Sequence, residues 1–183
     1  MAGRLGKQQW IDAALRTLAG HGVDAVRVES LAKALGVTKG SFYWHFKNRS
    51  ALLAAVLAAW EARATGDIIF TLEAGGGDAQ SRLRSLGEKV FSSDGRLDRQ
   101  IRAWAASDPL ARAAQDHVDL RRTRYVESLF AEMGFSQSEA AARAALLYLA
   151  LIGHFAMEAR ARPTREQLDL MVGLLLPNDS RRG

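Results

Sequence analysis

The sequence predicts an all-α protein of about nine helices, with a three-helix N-terminal domain and a larger helical C-terminal domain. Apolar residues recur at helical spacing along most of the 183-residue chain. Glycines and helix-capping residues separate these stretches, and no pair of alternating strands is visible. With 48% hydrophobic residues, the chain is long enough and apolar enough to bury a core.

The first helix is predicted from about Lys7 to Ala19, where Gly20 follows and ends it. Beyond it Val23, Val26 and Val28 alternate along the chain. We interpret the alternation as a short extended link that buries its valines under the first helix. A strand is the less suitable interpretation because no partner strand is visible.

Residues 31–46 have the spacing of a helix-turn-helix. Gly36 stands where a tight turn tolerates a positive φ, and Thr38 carries a side-chain oxygen that can cap the next helix, predicted over 38–46. Phe42 and Phe46 are four residues apart and are expected to face inward together. The side chains left on the outer surface are Lys39, Ser41, Tyr43, Trp44 and His45. An ordinary helical hairpin with packed aromatic residues is the alternative by spacing alone.

The charge distribution favours a segment that meets phosphate. Residues 1–66 hold nine basic and four acidic side chains, a net of +5, whereas the other 117 residues hold sixteen of each. All the excess charge therefore lies in the part that contains the helix-turn-helix, as expected for nucleic-acid binding.

The remaining helices follow from periodicity, caps and breaks. A glycine run at 75–77 is read as a loop, since no Lys-Ser or Lys-Thr pair follows it as a phosphate loop would need. Ser136 with Glu139, and Thr164 with Gln167, have the spacing of capping boxes. The predicted ranges are 48–65, 81–91, 96–107, 109–133, 137–159 and 165–176.

From about Gln8 to Ala62 the chain resembles the N-terminal domain of the TetR family of transcriptional regulators. The turn glycine, the aromatic pair, the basic residues and the run Phe42–Arg49 carry the resemblance. It implies a DNA-binding domain over 1–47, packed on the start of a fourth helix at 48–66. It also implies a ligand-binding and dimerisation domain over 48–183.

The resemblance implies a set of DNA-contacting residues. Lys39 and Ser41 are expected at base edges, and Gly40 between them would let the DNA backbone approach. Tyr43, His45 and Lys47 match phosphate-contacting positions. The full expected set is Arg27, Thr38, Lys39, Gly40, Ser41, Tyr43, Trp44, His45 and Lys47; solvated surface is the alternative for each.

Two positions depart from the family pattern. Family members commonly have Ser or Thr at the start of the second helix, where this chain has Val26 and Arg27; arginine can hold phosphate but cannot cap. A well-known member has a base-reading arginine where this chain has Glu29, and a carboxylate there would prefer a cytosine amino group or point away. The operator therefore cannot be copied from that relative.

The resemblance also implies an unknown small-molecule effector and a homodimer. The helices at 137–159 and 165–176 are apolar over more than one face, which suits pairing across a two-fold axis, although a monomeric core remains the alternative. Candidate ligand contacts are the polar-tipped aromatic and imidazole groups, with packed core as their alternative: Trp104, His117, Tyr125, Tyr148, His154 and Phe155. Arg121, Arg122 and Arg124 could serve an acidic ligand, but a solvated face suits them better.

Composition excludes several other classes. With no cysteine there are no disulfides, thiolate metal sites or cysteine nucleophiles. Neither the four histidines nor any serine or carboxylate has recognisable catalytic or metal-binding spacing, so we expect no enzyme, no cofactor and no metal. No segment has about 18 uncharged apolar residues in a row, so a cytoplasmic protein without a membrane span is expected. A constitutive architectural DNA-binding protein and an activator remain alternatives to a repressor.

Overall fold

The all-α prediction is confirmed. The computed structural model describes residues 6–157 and 163–177, and these residues contain helices and no strand. One long helical segment runs without a break from Arg49 to Ala74. It consists of two α-helices, Arg49–Glu61 and Asp67–Ala74, joined by a π-helical turn over Ala62–Gly66. The α-helices are α1 Lys7–His21, α2 Val28–Ala34, α3 Lys39–Tyr43, α4 Arg49–Glu61, α5 Asp67–Ala74, α6 Ala79–Phe91, α7 Arg96–Ala105, α8 Pro109–Glu132, α9 Gln137–Ala156 and α10 Arg165–Gly173.

The chain divides into two compact units. The first comprises described residues up to Ala64 together with 95–117, and the second comprises 65–94 and the described residues from 118 onward. Within the first unit α1 packs against both α4 and α7. This unit is therefore larger than the DNA-binding segment 1–47 proposed from the sequence, because α7 covers a face of α1.

The valine link was predicted wrongly in conformation, since it is not extended at Val23, but Val26 and Val28 are buried as predicted. Val23 begins a single 3₁₀ turn over Val23–Ala25, and Val26 and Val28 are buried on either side of the α2 N-terminus. The Arg49 guanidinium stabilises the turn, since it donates to the carbonyl oxygens of Val26 and Val23, each at 2.6 Å. Because the turn brings these carbonyls to one donor, no strand partner is needed.

Helix starts in the second unit follow the predicted caps. Ser136 and Thr164 both form the expected capping boxes, and their side chains accept from the amides of Glu139 and Gln167. Asp78, which the sequence reading passed over, caps α6 by accepting from the Ser81 amide at 2.8 Å. Helix α6 therefore begins two residues earlier than predicted.

The core of the second unit lies among α6, α8, α9 and α10. Leu83, Leu129, Phe130, Ala140 and Ala144 form its fully buried centre. By length and composition alone α9 could also cross a membrane, but a core helix passes the same test. Only 28% of the most apolar stretch of α9 is buried, so this helix has both a side that faces the core and an exposed apolar side.

Candidate nucleic-acid interface

The turn between α2 and α3 has the geometry that the sequence predicts. Gly36 has φ +68°, a conformation that L side chains rarely adopt. The amide of Val37 then donates to the Ala32 carbonyl at 3.0 Å, which closes the turn. The structure therefore confirms a helix-turn-helix in the described chain.

The cap predicted for α3 was only half right. Thr38 has the extended backbone of an N-cap, and its carbonyl accepts from the Ser41 amide at 3.1 Å. Its side chain makes no capping hydrogen bond. The α-helix is also shorter than the predicted range 38–46: it ends at Tyr43, and a turn leads to Phe46.

An aromatic cluster anchors α3 to the first unit. Phe42 is fully buried, with its ring centroid 5.3 Å from Trp10 in an edge-on arrangement and 5.4 Å from Phe46 in a stacked one. The Lys7 ammonium lies 5.4 Å from the Phe46 ring centroid. The inward placement of Phe42 and Phe46 is confirmed, and it fixes which side of α3 faces outward.

The outward side carries the predicted contact residues. Tyr43 and Trp44 are 62% and 77% exposed, and burial of the opposite face leaves them at the surface despite their size. Exposed neighbours include Arg27, Thr38, Lys39, Gly40 and Lys47, while Ser41 and His45 are half-buried. The structure thus brings all nine predicted residues to the helix-turn-helix; their contacts with DNA stay a prediction.

Gly40 is not required by packing within the protein. A Cβ built there would meet only the Thr38 hydroxyl, at an ordinary 3.6 Å. The expected reason for a glycine at this position, close approach of a DNA backbone, therefore stays a prediction.

Lys39 has a partner that the sequence reading did not assign. Its ammonium lies 2.5 Å from Oε1 of Glu29, in the first turn of α2. This hydrogen bond, more than any other contact, lowers the pKa of Glu29 and raises the pKa of Lys39. Both side chains are more than half exposed, so an ion pair stands at the surface where base contacts are expected.

Arg27 occupies the N-cap position of α2 without capping it, as the sequence predicts. Its Nε donates to the Asp24 carbonyl at 3.0 Å, which leaves the exposed guanidinium beside the start of α2. By contrast Asn48 does cap α4, accepting from the Ala51 amide at 2.9 Å.

The six candidate ligand residues are divided between the two units. Trp104 and His117 belong to the first unit, where Trp104 is buried and His117 Nδ1 lies 3.1 Å from a Glu61 carboxylate oxygen. The other four belong to the second unit.

Two tyrosines of the second unit are bound to carboxylates. Tyr125 donates to Glu73 at 2.7 Å, and its burial, then this hydrogen bond, raises its pKa to about 12. Glu73 also pairs with Arg82 at 2.7 Å. Tyr148 donates to Asp119 at 2.5 Å. Both tyrosine hydroxyl groups therefore donate hydrogen bonds to carboxylates of other helices.

His154 lines a cleft of the second unit, and the buried ring of Phe155 lies beside it, 5.9 Å away between centroids. His154 is buried, and the ring of Phe91 stands edge-on to it at 5.2 Å between centroids. His154 and Phe91 both line this cleft, which has a volume of about 1090 Å³ and is formed by α6, the turn that follows it, and α10. Of the six candidates only His154 lines this cleft, and Gly87, Leu168 and Val172 form other parts of its wall.

These features define a class: an all-helical protein with an N-terminal helix-turn-helix and a larger helical second part. Residues 11–56 match the family model described as bacterial regulatory proteins, tetR family. The helix-turn-helix part of the chain is therefore similar to the DNA-binding part of TetR-family regulators.

Comparisons with individual proteins agree with this match. The class D tetracycline repressor of Escherichia coli is 39% identical over 82 residues, which are 45% of this chain and 36% of that protein. The chain thus spans well under half the length of the curated relatives it matches.

Solved structures show that the fold likeness extends over nearly the whole chain. The reduced form of E. coli NemR aligns with a TM-score of 0.78 at 19% identity, over 92% of this chain and 95% of that one. A transcriptional regulator from Saccharomonospora viridis in complex with choline aligns with a TM-score of 0.75 at 19% identity, over 92% of both chains.

Proposed function

We propose that the protein is a homodimeric transcriptional repressor that binds a palindromic operator through α3 and releases it when a small molecule binds. The observation that carries the proposal is the outward side of α3, where exposed Tyr43 and Trp44 stand beside Lys39 and Lys47 on a helix fixed by buried Phe42. Large aromatic side chains beside lysines at a surface suit contact with a sugar-phosphate backbone and base edges.

Dimer formation is supported by the exposed apolar side of α9 and α10. Leu146 and Leu149 are 58% and 67% exposed, and Leu170 and Leu174 are 65% and 85% exposed. On α9 the two leucines follow exposed Ala142 and Ala145 at helical spacing, so they share a face. A second copy of the chain would cover these residues, since exposed apolar patches mark interaction sites.

A two-fold dimer would present two α3 helices to one face of DNA. The operator is then palindromic, with half-sites about 34 Å apart or a multiple of this spacing. A ligand would cause release only through a higher affinity for the dimer state with the wrong half-site spacing.

The cleft near His154 is our proposed effector site. Four carboxylates and two guanidinium groups line it, and Phe91 and Leu168 supply apolar surface. The lining is acidic by formal charge, with four carboxylates against Arg84 and Arg165, and Glu88 and Arg165 pair with each other at 2.7 Å. This balance favours a cationic ligand with an apolar part, and the choline complex of the Saccharomonospora regulator is a precedent in the same fold.

We expect Lys39→Ala and Tyr43→Ala to affect binding differently. Tyr43→Ala should weaken binding to specific and random duplexes by a similar factor, because phosphate contacts are made on every sequence. Lys39→Ala should weaken specific binding more and relax one base preference, by about tenfold, since a good base contact gives 1–3 kcal/mol of discrimination. Titration of both duplexes by fluorescence anisotropy checks this; equal losses on both for both variants would contradict the division of roles.

Selection of bound DNA from a random pool tests the proposed function. The best sequence is then titrated against scrambled duplex at two salt concentrations. We expect an inverted repeat bound about a thousandfold more tightly than scrambled DNA. Weak, steeply salt-dependent binding without a motif would refute the proposal in favour of a constitutive architectural protein.

A further inference from the structure

We propose that Glu29 is a specificity-determining residue that acts together with Lys39, and that the two side chains read one G·C base pair as a unit. The proposal rests on the DNA-binding function proposed above. It begins from one contact: Oε1 of Glu29 lies 2.5 Å from Nζ of Lys39. The contact joins the first turn of α2 to the first residue of α3.

The pair is poorly explained as a stabilising contact. The Lys39 and Glu29 side chains are 54% and 63% exposed, and exposed ion pairs add little to stability. The two helices already contact each other, and each buries a large apolar side chain, Leu31 in α2 and Phe42 in α3. A role in stability therefore does not account for a carboxylate at this place.

The carboxylate is also unfavourable for general DNA binding. It stands near Lys39 and Arg27, which are exposed and basic, and it would repel phosphate. A group that weakens binding to every sequence has a use only if it strengthens binding to some sequences. In the major groove, a carboxylate finds its donor on a base amino group, and the cytosine N4 group is its usual partner.

The two side chains together match the edge of a G·C pair. Guanine presents the acceptors N7 and O6, and the cytosine N4 amino group lies beside O6 as a donor. An ammonium next to a carboxylate presents the complementary donor and acceptor. In this arrangement Glu29 also limits the positions that the flexible Lys39 side chain can take, so that Lys39 contacts guanine rather than a nearby phosphate.

A charge-matched pair of variants tests the proposal. Glu29→Gln and Asp24→Asn each remove one exposed carboxylate close to α2, so both raise the net charge by one. Asp24 accepts from Arg27 through its backbone carbonyl, which the substitution leaves in place. Each variant is passed through random-pool selection in parallel with the unchanged protein, and thermal melting verifies that all three are equally folded.

We expect the unchanged protein to select an inverted repeat with G·C at the position that Lys39 reads. Glu29→Gln should shift that one position towards A·T, because glutamine pairs with adenine N6 and N7, and should raise affinity for scrambled DNA. Asp24→Asn should raise affinity for scrambled DNA in the same way and leave the motif unchanged. Combining Glu29→Gln with Lys39→Met should change base preference by less than the sum of the two single effects, and Glu29→Asp should keep the G·C preference.

Two results would overturn the proposal, and they differ. If the unchanged protein selects a motif and Glu29→Gln retains it just as Asp24→Asn does, Glu29 contributes only charge, while the regulator function stands. If the unchanged protein selects no motif, the proposed function fails and this inference fails with it.

Discussion

Phe42→Ala is expected to destabilise the first unit by about 3–5 kcal/mol and to abolish specific DNA binding. Phe42 has no exposed surface and packs against the rings of both Trp10 and Phe46. Removing its ring leaves a cavity in the aromatic cluster that it forms with Trp10 and Phe46. Since whole domains are stable by only about 5–15 kcal/mol, such a loss brings this one close to unfolding.

Tryptophan fluorescence can isolate this unit. The chain has four tryptophans, Trp10, Trp44, Trp60 and Trp104, and all four belong to the first unit. Urea denaturation followed by fluorescence therefore reports on the first unit, and far-UV circular dichroism reports on both. We expect the fluorescence transition of Phe42→Ala to move to lower urea while most of the helical signal persists.

Two variants serve as controls for the cavity. Phe70 is 75% exposed on α5 in the second unit, so Phe70→Ala should change stability by less than about 0.5 kcal/mol. Phe42→Leu keeps much of the buried volume and should retain DNA binding. If Phe42→Ala proves as stable as Phe70→Ala, Phe42 does not anchor α3. Burial of Phe42 would then not explain which side of α3 faces outward.

The helix-turn-helix could be predicted from the sequence because its signals are local. Gly36 needs a positive φ, and Phe42 and Phe46 share a face by spacing alone. The capping boxes at Ser136 and Thr164 are equally local, since each joins two residues three apart. Such features depend on a single turn of chain and carry over directly into the structure.

What the sequence could not show depends on contacts between distant residues. Val23–Ala25 forms a turn because Arg49, more than twenty residues away, binds the carbonyls of Val23 and Val26. Glu29 and Lys39 are ten residues apart and on different helices, so their pairing had no periodic signal. Trp104 and His117 share with Tyr125 and His154 only a residue type, and residue type does not indicate the unit to which each belongs.

Leu149→Glu combined with Leu174→Glu is expected to give a monomer that has lost most of its operator affinity. Both leucines are largely exposed, at 67% and 85%, so a carboxylate at either position stays solvated in a single chain. In a dimer the same carboxylates would be buried against apolar groups of the second copy, which is strongly unfavourable. Sedimentation velocity should therefore show a monomer whose melting in circular dichroism resembles that of a folded chain.

The loss of operator affinity follows from linked binding. In a dimer, contact with the second half-site becomes intramolecular once the first is bound, which strengthens binding by about a hundredfold or more. The double variant should lose this factor on the full inverted repeat and should bind an isolated half-site as well as the unchanged protein does. Leu110→Glu is the matched control, because Leu110 is 50% exposed but lies on α8 in the first unit. A double variant that stays dimeric would show that α9 and α10 do not form the interface. A monomer that binds the full repeat with unchanged affinity would show that operator recognition does not need two linked α3 helices.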